Sequence, residues 1–174
     1  IEGGDSDDVL LGGAGNDLIE AGAGEDYIFG GEGSDIIYGG SGSDQIDSGH
    51  ANEVVYGDSG DDVIVAGIGD DIVYGGAGDD QISAGDGDDV VQGGAGVDTI
   101  LGEAGDDIIY GGENNDQLYG GAGSDLIVAG SGADTVYGEA DDDTIIGGAG
   151  IDMLYGDAGA DLIAGGDAAD LIMG

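Results

Sequence analysis

Aliphatic side chains recur in this chain every nine residues, at Leu10, Ile19, Ile28, Ile37, Ile46, Val55, Ile64 and onward to Ile172 without a slip. All nineteen positions in that phase are Ile, Val or Leu, and an acidic residue stands two places before each. Counted from 1 at Gly3, the acid is position 6 and the aliphatic position 8; GGAGSDLIV, residues 120–128, is one complete unit. A fixed period of nine residues signals a stacked repeat architecture. Positions 7 to 9, rich in Val, Ile, Leu and Tyr, predict a three-residue strand, and positions 1 to 6 predict a six-residue turn. Turn, strand, turn and strand close one coil, so repeat i stacks on repeat i+2. The predicted class is all-β: a parallel β-helix solenoid with two parallel sheets and about 9.5 coils, roughly 45 Å long at ~4.8 Å per strand.

The glycines obey the same phase. Positions 1, 2 and 4 hold 14, 15 and 14 of them, and with Gly174 these account for all 44. Such a turn suits backbone that visits φ > 0 or comes close to a ligand. The inward side chains are then the position-8 aliphatics, ten in one sheet and nine in the other. That core is only two rows thick, and thin cores depend on metals or covalent staples. With no Cys in the chain, metal is the remaining route. The period runs unbroken over residues 3–173, so 1–174 is read as one domain of nineteen repeats. Ile1 and Glu2 fit positions 8 and 9 of a preceding unit and Gly174 fits position 1 of a following one. Neither end carries a cap, which leads us to expect a longer array or head-to-tail contact between chains.

Charge sharpens the demand for metal. Forty Asp and Glu face no Lys or Arg, for a formal net charge of −40. Composition alone would place such a chain among disordered polymers, and its self-repulsion opposes any compact state. The missing cations also exclude nucleic acid, whose phosphates are neutralised by Lys and Arg, and anionic lipid surfaces. No apolar run is long enough for membrane insertion.

The pattern GGxGxDxUx, with U a large aliphatic, resembles the RTX or haemolysin-type calcium-binding nonapeptide repeat, a β-helix repeat. The resemblance spans residues 3–173 and implies a parallel β-roll, a secreted bacterial protein, type I export in the unfolded state and folding on extracellular Ca²⁺. It also implies the ligands. The side chains are Asp8, Asp17, Asp26, Asp35, Asp44, Asp62, Asp71, Asp80, Asp89, Asp98, Asp107, Asp116, Asp125, Asp134, Asp143, Asp152, Asp161 and Asp170. A lower turn gives the carbonyls of positions 2 and 4, an upper turn those of positions 1 and 3. One such site would join Gly76, Gly78 and Asp80 to Gly93, Ala95 and Asp98. Calcium takes six to eight oxygens of this kind, whereas Mg²⁺ holds its waters in a tighter octahedron.

Ten odd and nine even turns leave at most 17 gaps for ions. Seventeen ions bring +34 against −40, leaving about −6. Repeat six, SGHANEVVY (residues 48–56), is the doubtful one: Glu53 replaces the Asp and Ala51 the position-4 Gly. The longer carboxylate overshoots and Ala resists φ > 0, so about 15 ions are expected. Asn114 and Asp141 also replace that Gly but tolerate left-handed geometry, while Ser6 and Ala168 fit less comfortably.

Other features weigh against chemistry beyond metal. The acids at position 5 (Asp61, Asp70, Asp79, Asp88, Asp106) read as a solvated turn face, and His50 as a surface residue. The Tyr residues at position 9 read as strand ladders. No nucleophile–base pair is visible, so no enzyme activity is expected. In even repeats, position 7 forms a candidate interaction face: Ile36, Val54, Ile72, Val90, Ile108 and Leu126, with Leu18 and Leu162 beyond them. Either strand propensity alone fills these positions, or the face packs on another module or chain. Two functions stay open: a spacer, stalk, surface-layer, adhesin or filament element, or the secretion, folding and substrate-positioning module of a secreted protease, lipase or polysaccharide epimerase.

Overall fold

A computed structural model describes residues 1–174 as a parallel β-solenoid without helix. The strands alternate between two ten-stranded sheets. The first sheet runs from Glu2–Gly4 and Leu18–Ala23 to Leu162–Asp167, and the second from Val9–Ala14 to Leu171–Met173. Every pairing is parallel with a register of eighteen residues, as in Ile82 against Ile64 and Ile100. Two nonapeptides therefore make each coil, as the period predicts.

Strand length departs from the three residues predicted. Most strands have six, because the ladder continues through positions 1 to 3 of the next repeat, as in Val90–Ala95, VVQGGA. Gly94 pairs with Gly76 and Gly112 inside the sheet. The turn shrinks to positions 4 to 6. Glycine at position 1 answers crowding, because a Cβ built on Gly111 would meet the Ala129 carbonyl oxygen at 2.5 Å and Leu118 Cδ1 at 3.2 Å.

The core is correspondingly wider than one aliphatic per strand. Position 8 points inward and is buried from Leu10 to Leu154. Position 1 points inward too, and its Ala21, Ala66, Ala84, Ala129 and Ser48 are buried. Ser48 Oγ satisfies itself by donating to the Ala66 carbonyl at 2.8 Å. At the last coil Ile163 is half-buried and Ile172 is 46 % exposed.

Outside, the Tyr ladders form as read from the sequence. Tyr38, Tyr56 and Tyr74 stack at 4.8 and 5.0 Å between ring centroids, and Tyr119, Tyr137 and Tyr155 at 5.1 and 4.8 Å. His50 is exposed on the second sheet, opposite Glu32 and Ile68.

Alternation of inward and outward residues predicts a sharp contrast between neighbours. Ile109→Ala, at a fully buried position, is expected to cost about 2–5 kcal/mol. Ile108→Ala, half-buried on the outer surface, should cost about 1 kcal/mol or less. Thermal unfolding of the two variants at saturating calcium measures the difference.

Candidate metal centres

Each turn ends on its acid, and stacking brings successive acids to one line along each edge of the solenoid. The amide of one Asp donates to Oδ1 of the Asp one coil later: Asp62 to Asp80 at 2.9 Å, Asp80 to Asp98 at 2.9 Å, Asp98 to Asp116 at 2.9 Å. Oδ1 is therefore fixed, and the fixed carboxylate aims Oδ2 inward. Oδ2 is buried without a hydrogen-bond partner at Asp8, Asp17, Asp26, Asp35 and Asp44, and again from Asp62 to Asp152. Asp161 and Asp170 close the last two turns, with no coil above them.

The backbone supplies the remaining oxygens. In the gap between residues 75–80 and 93–98, the Gly76 and Gly78 carbonyls point up at the Cα atoms of Gly94 and Gly96. From above, the Gly93 carbonyl points down, 2.8 Å from a Cβ built on Gly75, and the Ala95 carbonyl accepts from the Gly78 amide at 2.9 Å. Gly76, Gly78, Asp80, Gly93, Ala95 and Asp98 thus meet at one gap. No point gathers three or more His, Cys, Asp or Glu side chains. Each centre combines two carboxylates with converging carbonyls, a hard all-oxygen donor set of the kind calcium takes.

Burial pushes these carboxyls up. Asp62, Asp89, Asp116 and Asp125 reach about 7, and Asp44, Asp80 and Asp107 about 6, from 3.8. Desolvation is the largest cause, and neighbouring acids such as Asp98 beside Asp80 add repulsion. The incoming amide of the preceding coil pulls the other way. A bound cation removes both penalties; a proton on Oδ2 supplies a donor among the carbonyls instead.

Repeat six breaks the line. The Glu53 amide still donates to Asp71 Oδ1 of the coil above at 2.7 Å, but the Glu53 carboxylate takes no bond from the coil below. Both Glu53 carboxylate oxygens are buried and unpartnered, and its pKa rises to about 8, again through burial first. Ala51 is forced to φ 110, a conformation that costs a residue with a Cβ of order 1–3 kcal/mol. Asn114 and Asp141 sit at φ 74 and 78, in the left-handed region. Ala168 shares it at φ 82, and Ser6 does not adopt positive φ.

Two features escaped the sequence reading. Position 2 takes positive φ as its glycines suggested, but its acids Asp58, Glu103, Glu139 and Asp157 adopt it too, at φ 64 to 78, while position 1, read the same way, does not. The position-5 acids are exposed as expected but not merely solvated. Asp61, Asp70, Asp79, Asp88 and Asp106 each accept, on Oδ1, the amide of the residue one coil later, at 2.8–3.2 Å. Asn16 and Asn115 do the same, and the signal available was that Asp, Asn or Ser stands at that point of the turn in 13 of the 19 repeats.

Fold and donor geometry define a parallel β-roll of cation-binding type, built from one repeated centre. The family model for the RTX calcium-binding nonapeptide repeat matches residues 2–37, 20–49, 49–82, 56–91, 83–118, 92–127, 119–154 and 146–174. The chain therefore belongs to the RTX calcium-binding repeat family, and calcium is the ion that family binds. A comparison with curated proteins found no match.

Raised carboxyl pKa values fix the sign of the pH dependence. Groups at about 6 to 7 in the fold and 3.8 in the open chain favour folding when protonated. That contribution is complete below about pH 4 and is lost as pH rises through 6 to 7. In chelator, circular dichroism should show more order at pH 4 than at pH 8. With calcium, the midpoint concentration should rise as pH falls from 7 to 5, with protons released on binding.

Proposed function

We propose that this chain is a calcium-dependent structural module of a secreted bacterial protein, disordered where calcium is scarce and condensing into a rigid spacer outside the cell. The observation that carries the reading is the unpartnered, buried Oδ2 repeated at every gap except those of Glu53. A carboxylate in that setting needs a cation, and no Lys or Arg exists to supply one. Calcium would be held by the eighteen position-6 aspartates with backbone carbonyls such as those of Gly76, Gly78, Gly93 and Ala95, Glu53 being the weak member.

The mechanism is a switch set by compartment. At submicromolar calcium the carboxylates repel and the chain stays open. At roughly millimolar calcium, weak extracellular-class sites of Kd about 0.1 mM fill, and each adds about 1.4 kcal/mol at tenfold excess. Adjacent ions share an aspartate, so filling spreads along the stack as in other solenoids. The resulting body is a stiff rod, suited to a stalk, an adhesin spacer or a surface-layer element. Its repeated acids are committed to metal, which favours a structural role over catalysis.

Calcium titration followed by circular dichroism, with EGTA reversal and a magnesium control, tests the reading. Order appearing with calcium, vanishing with EGTA and absent with magnesium is the expected result. Persistence of the ordered state after exhaustive chelation at neutral pH would sink it. Asp98→Asn should lower the bound-calcium count by two, since its side chain serves the gap above and the gap below. Glu53→Asp should raise the count, measured by atomic emission after desalting.

A further inference from the structure

Seven consecutive residues hold five departures from the repeat: Asp47, Ser48, His50, Ala51 and Glu53. Breaks in an otherwise consistent pattern gather at functional sites. Asp47 and His50 lie on the strand Gln45–His50 of the second sheet with exposed side chains, and the calcium edge requires neither side chain. Asp47 is also the one acid at position 9 of that sheet. In register, Asp47 stands between Phe29 and Val65, and Gln45 between Tyr27 and Val63. A hollow of about 220 Å³ lies here, with these six residues in its lining. A second hollow of about 490 Å³ shares Phe29 and Asp47 with it and extends over Gly31 and Gly49 to Glu32 and His50. The chain's one Phe and one His thus border a single depression.

We propose that this depression binds an arginine side chain on an extended segment of a partner protein. The site needs the ordered chain and so rests on the calcium-dependent fold proposed above. Size comes first: a hollow of about 220 Å³ is smaller than the ~300–1,000 Å³ of small-molecule sites and suits one side chain. Charge comes next. No Lys or Arg exists to pair with Asp47, so its cation has to come from another molecule.

Hydrogen-bonding capacity then separates a guanidinium from a sugar ring. Gln45 Nε2 donates to the Tyr27 hydroxyl at 3.2 Å, which leaves Gln45 Oε1 and both Asp47 oxygens as acceptors. A sugar hydroxyl both donates and accepts, whereas a guanidinium offers five donors and no acceptor. Its plane stacks on an aromatic face while its fork takes a carboxylate, and Phe29 stands directly beside Asp47. A lysine ammonium would use the carboxylate without the stacking plane. The second hollow takes the backbone of the bound segment, because Gly31 and Gly49 put no side chain in its way and Glu32 adds a second negative group.

NMR of the isotope-labelled, calcium-loaded chain titrated with acetyl-GGRGG-amide tests this, with circular dichroism on the same samples. Shifts are expected at Phe29, Gln45, Asp47 and Gly49. The same peptide with citrulline, which keeps the shape and loses the charge, should give none; equal binding overturns the guanidinium. Free argininamide should bind more weakly, and equal affinity overturns the partner segment. Asp47→Asn should weaken the peptide about 10-fold or more, since a charged acceptor is lost, and Phe29→Ala about threefold. Asp86→Asn, exposed on the same sheet outside both hollows, should leave binding unchanged, and all three variants should keep the calcium-induced dichroism. Equal weakening by Asp47→Asn and Asp86→Asn marks diffuse attraction to a polyanion and overturns the site. An ordered chain that shows no shifts overturns the site but leaves the calcium reading standing. Absence of calcium-induced order overturns both.

Discussion

A carboxylate held between two coils with one oxygen tied and the other left facing carbonyls dominates the energetics of this molecule. The tie is the amide of the preceding coil, bonded to Oδ1 in the same way at Asp26, Asp80, Asp107 and Asp152. The free oxygen lies among carbonyl oxygens, where a negative charge is repelled and desolvated at once. One such group would be a local defect. Repeated along both edges with no basic side chain in the chain, it sets a standing demand for protons or a divalent cation, which is the basis of the calcium-dependent folding proposed above. Hydrophobic burial holds the sheets together, but it acts on a core only two inward residues wide per strand. The edges therefore decide whether that core assembles.

The glycines serve this edge in two distinct ways. At positions 2 and 4 the backbone takes positive φ and turns its carbonyls toward the coil above. At position 1 the conformation is ordinary and the demand is space, since the carbonyl of the next coil and the repeat's own Asp crowd the Cα of Gly93 and Gly111. Substitutions separate along the same line. Asp, Glu and Asn enter positions 2 and 4, as at Asp58, Glu103 and Asn114, at φ 72 to 78; at the φ 119 and 140 of Gly76 and Gly78 a Cβ would run into a carbonyl of the coil below. Position 1 admits only Ala and Ser, as at Ala66 and Ser48, where size is the requirement.

Much of this was legible from the period. Stacking of i on i+18, inward position 8, the Tyr ladders and the phase of the acids all follow from a nine-residue repeat with two repeats per coil. Strand length did not, because Gly-Gly reads locally as a turn; only the parallel neighbour at Gly94 shows that it belongs to the ladder. The bonding of the position-5 acids was hidden for a related reason. Asp79 accepts an amide from Val97, and a contact eighteen residues away leaves no trace in one repeat. Which carboxylate oxygen is tied and which is free is likewise a matter of inter-coil geometry, invisible to composition or motif.

Repeat six shows how tightly side-chain length is coupled to the backbone. The amide of Asp35 would meet Oδ1 if Asp stood at position 53, as the amide of Asp44 meets Asp62. Glu53 carries the carboxylate one methylene too far, and neither of its oxygens takes that bond. The same repeat holds Ala51 at φ 110, the extended positive-φ backbone that its stacked neighbours Gly33 and Gly69 take at φ 107 and 137. Two departures in one turn point the same way: the backbone there is held by the coils on either side, not by its own residues. A solenoid transmits stability between neighbours, so a turn that contributes little can persist inside a stack that contributes much. Its position near one third of the chain divides the array into a short and a long run of intact edges. Under falling calcium, the short run has fewer shared aspartates to hold it and should open first.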